Sequence, residues 1–228
     1  LQYSGSPFVA YKCCEVSTRR YKSRQTAREV WNRWQTNQGL QSVPTGGPQG
    51  LGAQKIGYDI DGVLCHFKRG MLEEARKMGY GQKVPDHPME WDEYGPEWGE
   101  GILDEVWDRV GDNHTWWARL NPYDDAHIFT DVECYITSRS VPSQLTEQWL
   151  VGHGFPKAPV TSVGHGNSKL PVAQQADLDL FVDDKPETVR ELNRNGIPAL
   201  LRDRPHNWDA ENLDGYRIRC LSQVQQHA

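Results

Sequence analysis

Three short stretches place oxygen and charge where chemistry can use them. They are Asp59-Ile60-Asp61-Gly62-Val63-Leu64, Thr137-Ser138-Arg139 and Asp183-Asp184-Lys185, with Lys169 ahead of the third. Two residues spaced by two point to the same side of a strand, so Asp59 and Asp61 are expected side by side. Their carboxylates repel unless a cation sits between them or one is protonated. Asp183 and Asp184 bring the set to four acids, and such a set calls for Mg²⁺, a hard cation that takes oxygen ligands. Lone Asp-x-Asp pairs are common on surfaces. The ordered combination of an Asp pair, a strand-end Thr, a Lys and a second Asp pair is far more specific, and it points to carboxylate chemistry around a divalent metal.

These residues need a scaffold that brings them to one place. Ile56–Ile60, Val132–Ile136, Pro159–Val163, Leu178–Val182 and Ala199–Arg202 read as short strands, and Arg217–Leu221 as a last strand before a terminal helix. Helical patterns over Ser143–Gly152, Leu170–Gln175 and Pro186–Asn195 alternate with them. The expected fold class is α/β: a Rossmann-like parallel sheet with helices on both faces. A parallel sheet delivers its reactive groups at the carboxyl ends of its strands, which is where the three stretches fall.

Asp59-Ile-Asp-Gly-Val, Ile136-Thr137-Ser138, Lys169 and Val182-Asp183-Asp184 resemble the four motifs of the haloacid dehalogenase (HAD) superfamily, over roughly residues 55–225. The Asp-x-Asp form of the first motif is similar to the phosphatase branch. The resemblance implies Asp59 as nucleophile, Asp61 as the acid and base that moves the proton, Thr137 as a phosphoryl hydrogen-bond donor and Lys169 as its counter-charge. It further implies Mg²⁺ held by Asp59, the Asp61 backbone carbonyl, Asp183 and Asp184. Ser138, Arg139 and Lys68 are candidates for substrate binding. Plainer roles stay open: Thr137, Ser138 or Ser140 can cap the following helix, Lys169 can be an exposed residue at a helix start, Asp184 can pair with Lys185, and Arg139 can be a structural ion-pair partner.

Between the first and second motifs lie residues 66–127, rich in Trp and acidic residues with helical periodicity. In this family such an insertion is a cap, and a small helical cap after the first strand is expected. It carries Trp91, Trp98, Trp107, Trp116 and Trp117, which can stack on a base or fill a small core. With the run Asp183-Asp184-Lys185-Pro186-Glu187, the cap resembles the 5′-deoxyribonucleotidase branch. The substrate implied is a small phosphate such as a nucleoside 5′-monophosphate. His66 and Phe67, next to the first motif, are placed to meet it, whereas His153 and His165 are expected in exposed loops.

The charge is divided along the chain. Residues 1–54 hold seven Lys/Arg, from Lys12 to Arg33, against Glu15 and Glu29, so they carry +5 and residues 55–228 carry −11. A basic helix over Ser17–Gln38 and a Gly/Pro linker at 44–52 precede the α/β domain. Residues 12–34 offer a nucleic-acid contact, and the alternative function is a polynucleotide-end phosphatase or a nucleic-acid-binding protein. Tyr11-Lys-Cys-Cys and Thr26–Trp34 also resemble the end of a restriction-alleviation-type zinc ribbon, which needs two cysteine pairs; only Cys13 and Cys14 are present. Five scattered cysteines without a CxxC spacing suit reduced thiols in a cytoplasmic protein. No apolar run reaches the ~20 residues of a membrane span.

Overall fold

Six short strands carry the structure, a computed structural model that describes residues 54–84, 101–128, 130–208 and 210–227. They are β1 (Ile56–Tyr58), β2 (Cys134–Thr137), β3 (Val160–Ser162), β4 (Leu180–Asp183), β5 (Ala199–Arg202) and β6 (Arg217–Ile218). Their order is β3-β2-β1-β4-β5-β6, and every neighbouring pair is parallel. Parallel neighbours need crossovers, and helices supply them. α1 (Phe67–Lys77), α2 (Ile102–Val110) and α3 (His114–Ala118) lie between β1 and β2. α4 (Ser143–Gly152), α5 (Leu170–Gln175) and α6 (Pro186–Arg194) follow β2, β3 and β4 in turn. This is the α/β, Rossmann-like architecture that the sequence pattern leads one to expect.

The strands sort their side chains by the period of two. Tyr58, Tyr135, Leu180, Val182 and Leu200 join one apolar cluster, while Cys134, Ile136, Phe181, Ala199 and Leu201 join another. The first cluster also takes Met71, Leu72, Val106, Trp117, Trp149 and Leu150, so α1–α4 share it. The second takes Ala173, Val189 and Leu192 from α5 and α6. Both faces of the sheet are therefore buried, which explains strands that are apolar at nearly every position. α6 shows how local signals agree with this packing: Pro186 opens it, Glu187 sits in its first turn, Arg194 in its last, and Val189 and Leu192 face the sheet.

The described part of the insertion is helical, as expected, and it packs around tryptophan. The Asn113 side chain accepts the Trp116 N–H at 3.1 Å and caps α3. Trp116 and Trp117 meet edge to face at 5.0 Å, and Phe67 stacks on Trp117 at 5.4 Å. Trp116 and Trp117 are thus core residues, whereas Trp107 is only partly buried. Residues 85–100, with Trp91 and Trp98, lie outside the described residues. So do the helix at 17–38, the linker, the basic residues 12–34 and Cys13-Cys14. Cys65, Cys134 and Cys220 are buried thiols. No helix among the described residues is long and apolar enough to cross a membrane.

Most strand bounds differ from the sequence reading by one or two residues at an end, β2 running Cys134–Thr137, β3 Val160–Ser162 and β4 Leu180–Asp183, and α6 ends one residue early at Arg194; the ends of β1 and of the last strand have an identifiable cause. β1 stops at Tyr58 rather than Ile60, because the Leu64 and Cys65 N–H groups both donate to the Ile60 carbonyl and close a turn. The last strand is only Arg217–Ile218, and Leu221–Gln226 forms a 3₁₀ helix. There the Gln223 side chain accepts the Arg219 and Cys220 N–H groups at 2.6 and 3.2 Å and bends the chain early.

Gly57 in β1 has no room for a side chain. A Cβ there would lie 2.6 Å from Leu178 Cδ1 and 2.8 Å from Phe181 Cδ2. Gly57→Ala should destabilise the protein by about 1–3 kcal/mol through overpacking. Urea unfolding of the full chain checks this, and a midpoint equal to that of the wild type would contradict it.

Candidate active site

The site begins where β1 ends. The Asp59 N–H donates to Val182 O at 2.8 Å, so pairing with β4 continues one residue past β1 and sets Asp59 beside Asp183. Gly62 then turns the chain with φ +85°. A Cβ on Gly62 would fall 1.6 Å from Asp184 Oδ2, so only glycine lets this turn lie against that carboxylate. One oxygen each from Asp59, Asp183 and Asp184 lies within 4.8 Å of the others, and all three residues are buried.

Lys169, ahead of α5, reaches into this group. Its Nζ lies 2.8 Å from Asp59 Oδ1 and 2.8 Å from Asp183 Oδ2. The other oxygen of Asp183 accepts the Lys185 N–H at 2.7 Å. Asp184 Oδ2 meets His206 Nε2 at 2.9 Å, while Asp184 Oδ1 is buried without a hydrogen-bond partner. Burial would lower the ammonium pKa of Lys169, but the carboxylates of Asp183 and Asp59 hold it above its ordinary value. Burial raises Asp59 well above the usual carboxylate range, opposed by Lys169 and reinforced by the neighbouring acids. Burial and Asp183 do the same to Asp184.

Asp61 has a different partner from Asp59. Its two oxygens accept Arg139 Nη2 and Nε at 2.8 Å each. Alternation along a strand does not apply to it, because the chain has already turned. Thr137 is buried at the end of β2, and its hydroxyl accepts the Arg139 N–H at 3.3 Å. Ser138, Arg139 and Lys68 line a cleft of about 910 Å³ that also opens onto Asp59, Asp183 and Asp184. Phe67, Trp107 and Tyr123 form an aromatic part of its wall, Arg190 and Arg194 of α6 lie along another, and His165 is at its exposed edge.

Sequence reasoning missed the segment after β5. Arg204 donates to the Gly62 and Val63 carbonyls at 2.6 and 3.2 Å and lies over the Tyr123 ring, 3.5 Å from its centre. The Asn207 side chain donates to the Asp184 and Arg202 carbonyls at 2.9 and 2.8 Å. Burial, with Lys68 and Arg204 nearby, lowers His206 to about 2, so it meets Asp184 as a neutral ring. The available signal was a polar run, Arg202-Asp-Arg-Pro-His-Asn207, at the carboxyl end of a buried strand.

The donor set suits a hard divalent cation. It is all oxygen, it has more negative charge than Lys169 offsets, and the buried, unpartnered Asp184 Oδ1 is an acceptor in need of one. Asp59, Asp183 and Asp184 would hold the ion, which would supply charge neutralisation at an incoming anion.

Gly62→Ala should push Asp184 out of this arrangement and weaken Mg²⁺ binding by about tenfold or more, since ligand orientation commonly carries 10–100-fold in affinity. Titration calorimetry with Mg²⁺ on the wild type and the variant reads the effect. Equal affinities would show that the turn does not set the carboxylate.

No family model matches the chain. The curated protein "Putative nucleotidase OB0422" of Oceanobacillus iheyensis is 30% identical over 83 residues, which are 35% of this chain and 44% of that protein. The chain thus matches less than half the length of this relative. Among solved structures, a HAD-superfamily hydrolase of subfamily IA from Geobacter sulfurreducens PCA is similar with a TM-score of 0.48 and 13% identity, over 78% of this chain and 100% of that one. A 2-haloacid dehalogenase from Pseudomonas syringae pv. Tomato DC3000 is similar with a TM-score of 0.44 and 14% identity, over 77% and 97% of the two chains.

Proposed function

We propose that the protein is a Mg²⁺-dependent phosphomonoester hydrolase that works through an aspartyl-phosphate on Asp59. The observation that carries this reading is the buried group of Asp59, Asp183 and Asp184 with Lys169 bridging two of them, at the floor of an accessible cleft. A carboxylate attacks phosphorus only if its charge and that of the phosphoryl oxygens are offset, and Lys169 stands where it offsets both. Asp59, Asp183 and Asp184 would hold an ion that would supply further neutralisation of the phosphoryl charge.

The proton is the part of Asp61. As Asp59 forms its bond to phosphorus and the bond to the leaving oxygen breaks, Asp61 passes a proton to that oxygen. In the second half, Asp61 takes a proton from the water whose oxygen attacks phosphorus. The bond from phosphorus to Asp59 then breaks, phosphate leaves, and Asp61 is protonated as at the start. Ser138 and Lys68, on the cleft wall, hold the phosphoryl oxygens.

A nucleoside 5′-monophosphate is the substrate we favour. The aromatic wall of Phe67, Trp107 and Tyr123 offers faces to a base, and the curated relative is named a nucleotidase. A phosphate-release screen with Mg²⁺ across nucleoside monophosphates, sugar phosphates and phosphorylated oligonucleotides tests the choice, and preference for oligonucleotide ends would replace it. Asp59→Asn should reduce turnover to background while thermal unfolding stays close to that of the wild type. Mg²⁺-dependent release that survives in Asp59→Asn would end the covalent mechanism.

A further inference from the structure

The geometry points to Arg139 as the positioning residue of Asp61, with Trp117 carrying the insertion's share in that task. The inference rests on the phosphatase reading and on proton transfer by Asp61.

Arg139 is the residue from which a phosphate clamp would be expected, since it follows the second motif and lines the cleft. Its contacts give it another task. Nε and Nη2 form two parallel bonds to the two oxygens of Asp61, both 2.8 Å. Its side chain is only 1% exposed, against 20% for Asp61. The Nε–Nη2 edge of the guanidinium is therefore committed to Asp61, and the carboxylate it grips is the member of the Asp59–Asp61 pair that remains open to the cleft. The Cys65 thiol also hydrogen-bonds Asp61, and of the four lone pairs on the two carboxylate oxygens at least one is left for proton exchange.

The guanidinium is fixed in turn. Its central carbon lies 5.2 Å from the centre of the Trp117 ring and 5.3 Å from that of Trp149. Both indoles are tethered, Trp117 Nε1 to Gly111 O at 3.0 Å and Trp149 Nε1 to Leu120 O at 2.8 Å. At the backbone, Arg139 N–H donates to Thr137 Oγ1, and its carbonyl accepts the Ser162 hydroxyl. Asp61 sits in a turn, where a free carboxylate would rotate. A planar fork packed against two aromatic rings removes that freedom, and an ammonium cannot replace it. Trp117 belongs to α3 of the insertion, so the element beside the cleft also sets the proton-transfer group.

Kinetics of the full-length wild type, Arg139→Lys, Asp61→Asn and the double variant test the proposal, with Mg²⁺, on a nucleoside monophosphate and on p-nitrophenyl phosphate. Arg139→Lys should lower kcat on the nucleotide by about 10–100-fold, the scale of a misplaced proton-transfer group, and leave KM within about twofold. The loss should be smaller in the first half-reaction on p-nitrophenyl phosphate, whose leaving group departs without a proton. In the Asp61→Asn background Arg139→Lys should cost nothing further. A raised KM with kcat preserved, or losses that multiply in the double variant, would overturn the proposal. If Arg139→Lys does not fold by circular dichroism, Trp117→Phe takes its place in the same cycle, with a several-fold loss of kcat that must vanish in the Asp61→Asn background. Its persistence there would overturn the proposal equally. A wild type that releases no phosphate from any substrate would remove the phosphatase reading itself and this inference with it, before any substitution is compared.

Discussion

The buried bridge from Lys169 to Asp59 and Asp183 is the interaction on which the site depends. Two like charges 4 Å apart repel by about 4 kcal/mol even at an effective dielectric of about 20. Four carboxylates brought to one edge of a sheet cannot stay there unaided. The protein divides them among different partners: Lys169 takes Asp59 and Asp183, Arg139 takes Asp61, and neutral His206 takes one oxygen of Asp184. Removing one partner from a buried pair of this kind typically costs roughly 3–5 kcal/mol, because the other charge is stranded. What remains after the division is Asp184 Oδ1, an acceptor with no partner, facing the place a cation would fill.

The sheet makes that division possible by its order. Chain order runs outward from β1 to β2 and β3 on one side, then returns past β1 to β4, β5 and β6 on the other. A crevice forms at such a reversal, beyond the carboxyl ends of the central strands. Asp59 leaves β1 there and Asp183 ends β4 beside it, with Tyr58 opposite Val182 in the ladder. Both faces of the sheet are covered by helices, so the acids sit at the end of a dry core rather than on a wet surface, and their electrostatics are correspondingly strong.

Two segments far apart in the chain complete the site from outside the sheet. The insertion brings Phe67, Lys68, Trp107 and Tyr123 to the cleft and Trp117 to the back of Arg139. The run after β5 holds the turn at Gly62 through Arg204 and the Asp184 backbone through Asn207. Tyr123 joins the two, since the Arg204 guanidinium lies on its ring and its own N–H donates to Leu64 O. The turn after β1 is therefore braced on both sides, which lets a single glycine carry a tight approach to Asp184.

Local chemistry was legible in the residues themselves. Short, nearly continuous apolar runs mark β2, β4 and β5, and α4 and α5 follow the sequence reading residue for residue, because both faces of each strand and one face of each helix must find apolar partners. The acids at the ends of β1 and β4 and the lysine before α5 were visible for the same reason: strand ends are where a parallel sheet exposes function. Partnership was not legible. That Asp61 pairs with Arg139 while Asp59 pairs with Lys169 follows a turn closed by hydrogen bonds to Ile60. That Arg139 meets Asp61 is set in space, beside two tryptophans, one 22 residues before it and one 10 after it. His206, Arg204 and Asn207 reach Asp184 and Gly62 only because β5 lies beside β4 in the sheet. Sequence by itself determined which groups exist and which elements carry them, since propensity and periodicity act over a few neighbours. Tertiary structure alone decided which charge meets which, because pairing is set by distance in space, and no local pattern encodes it.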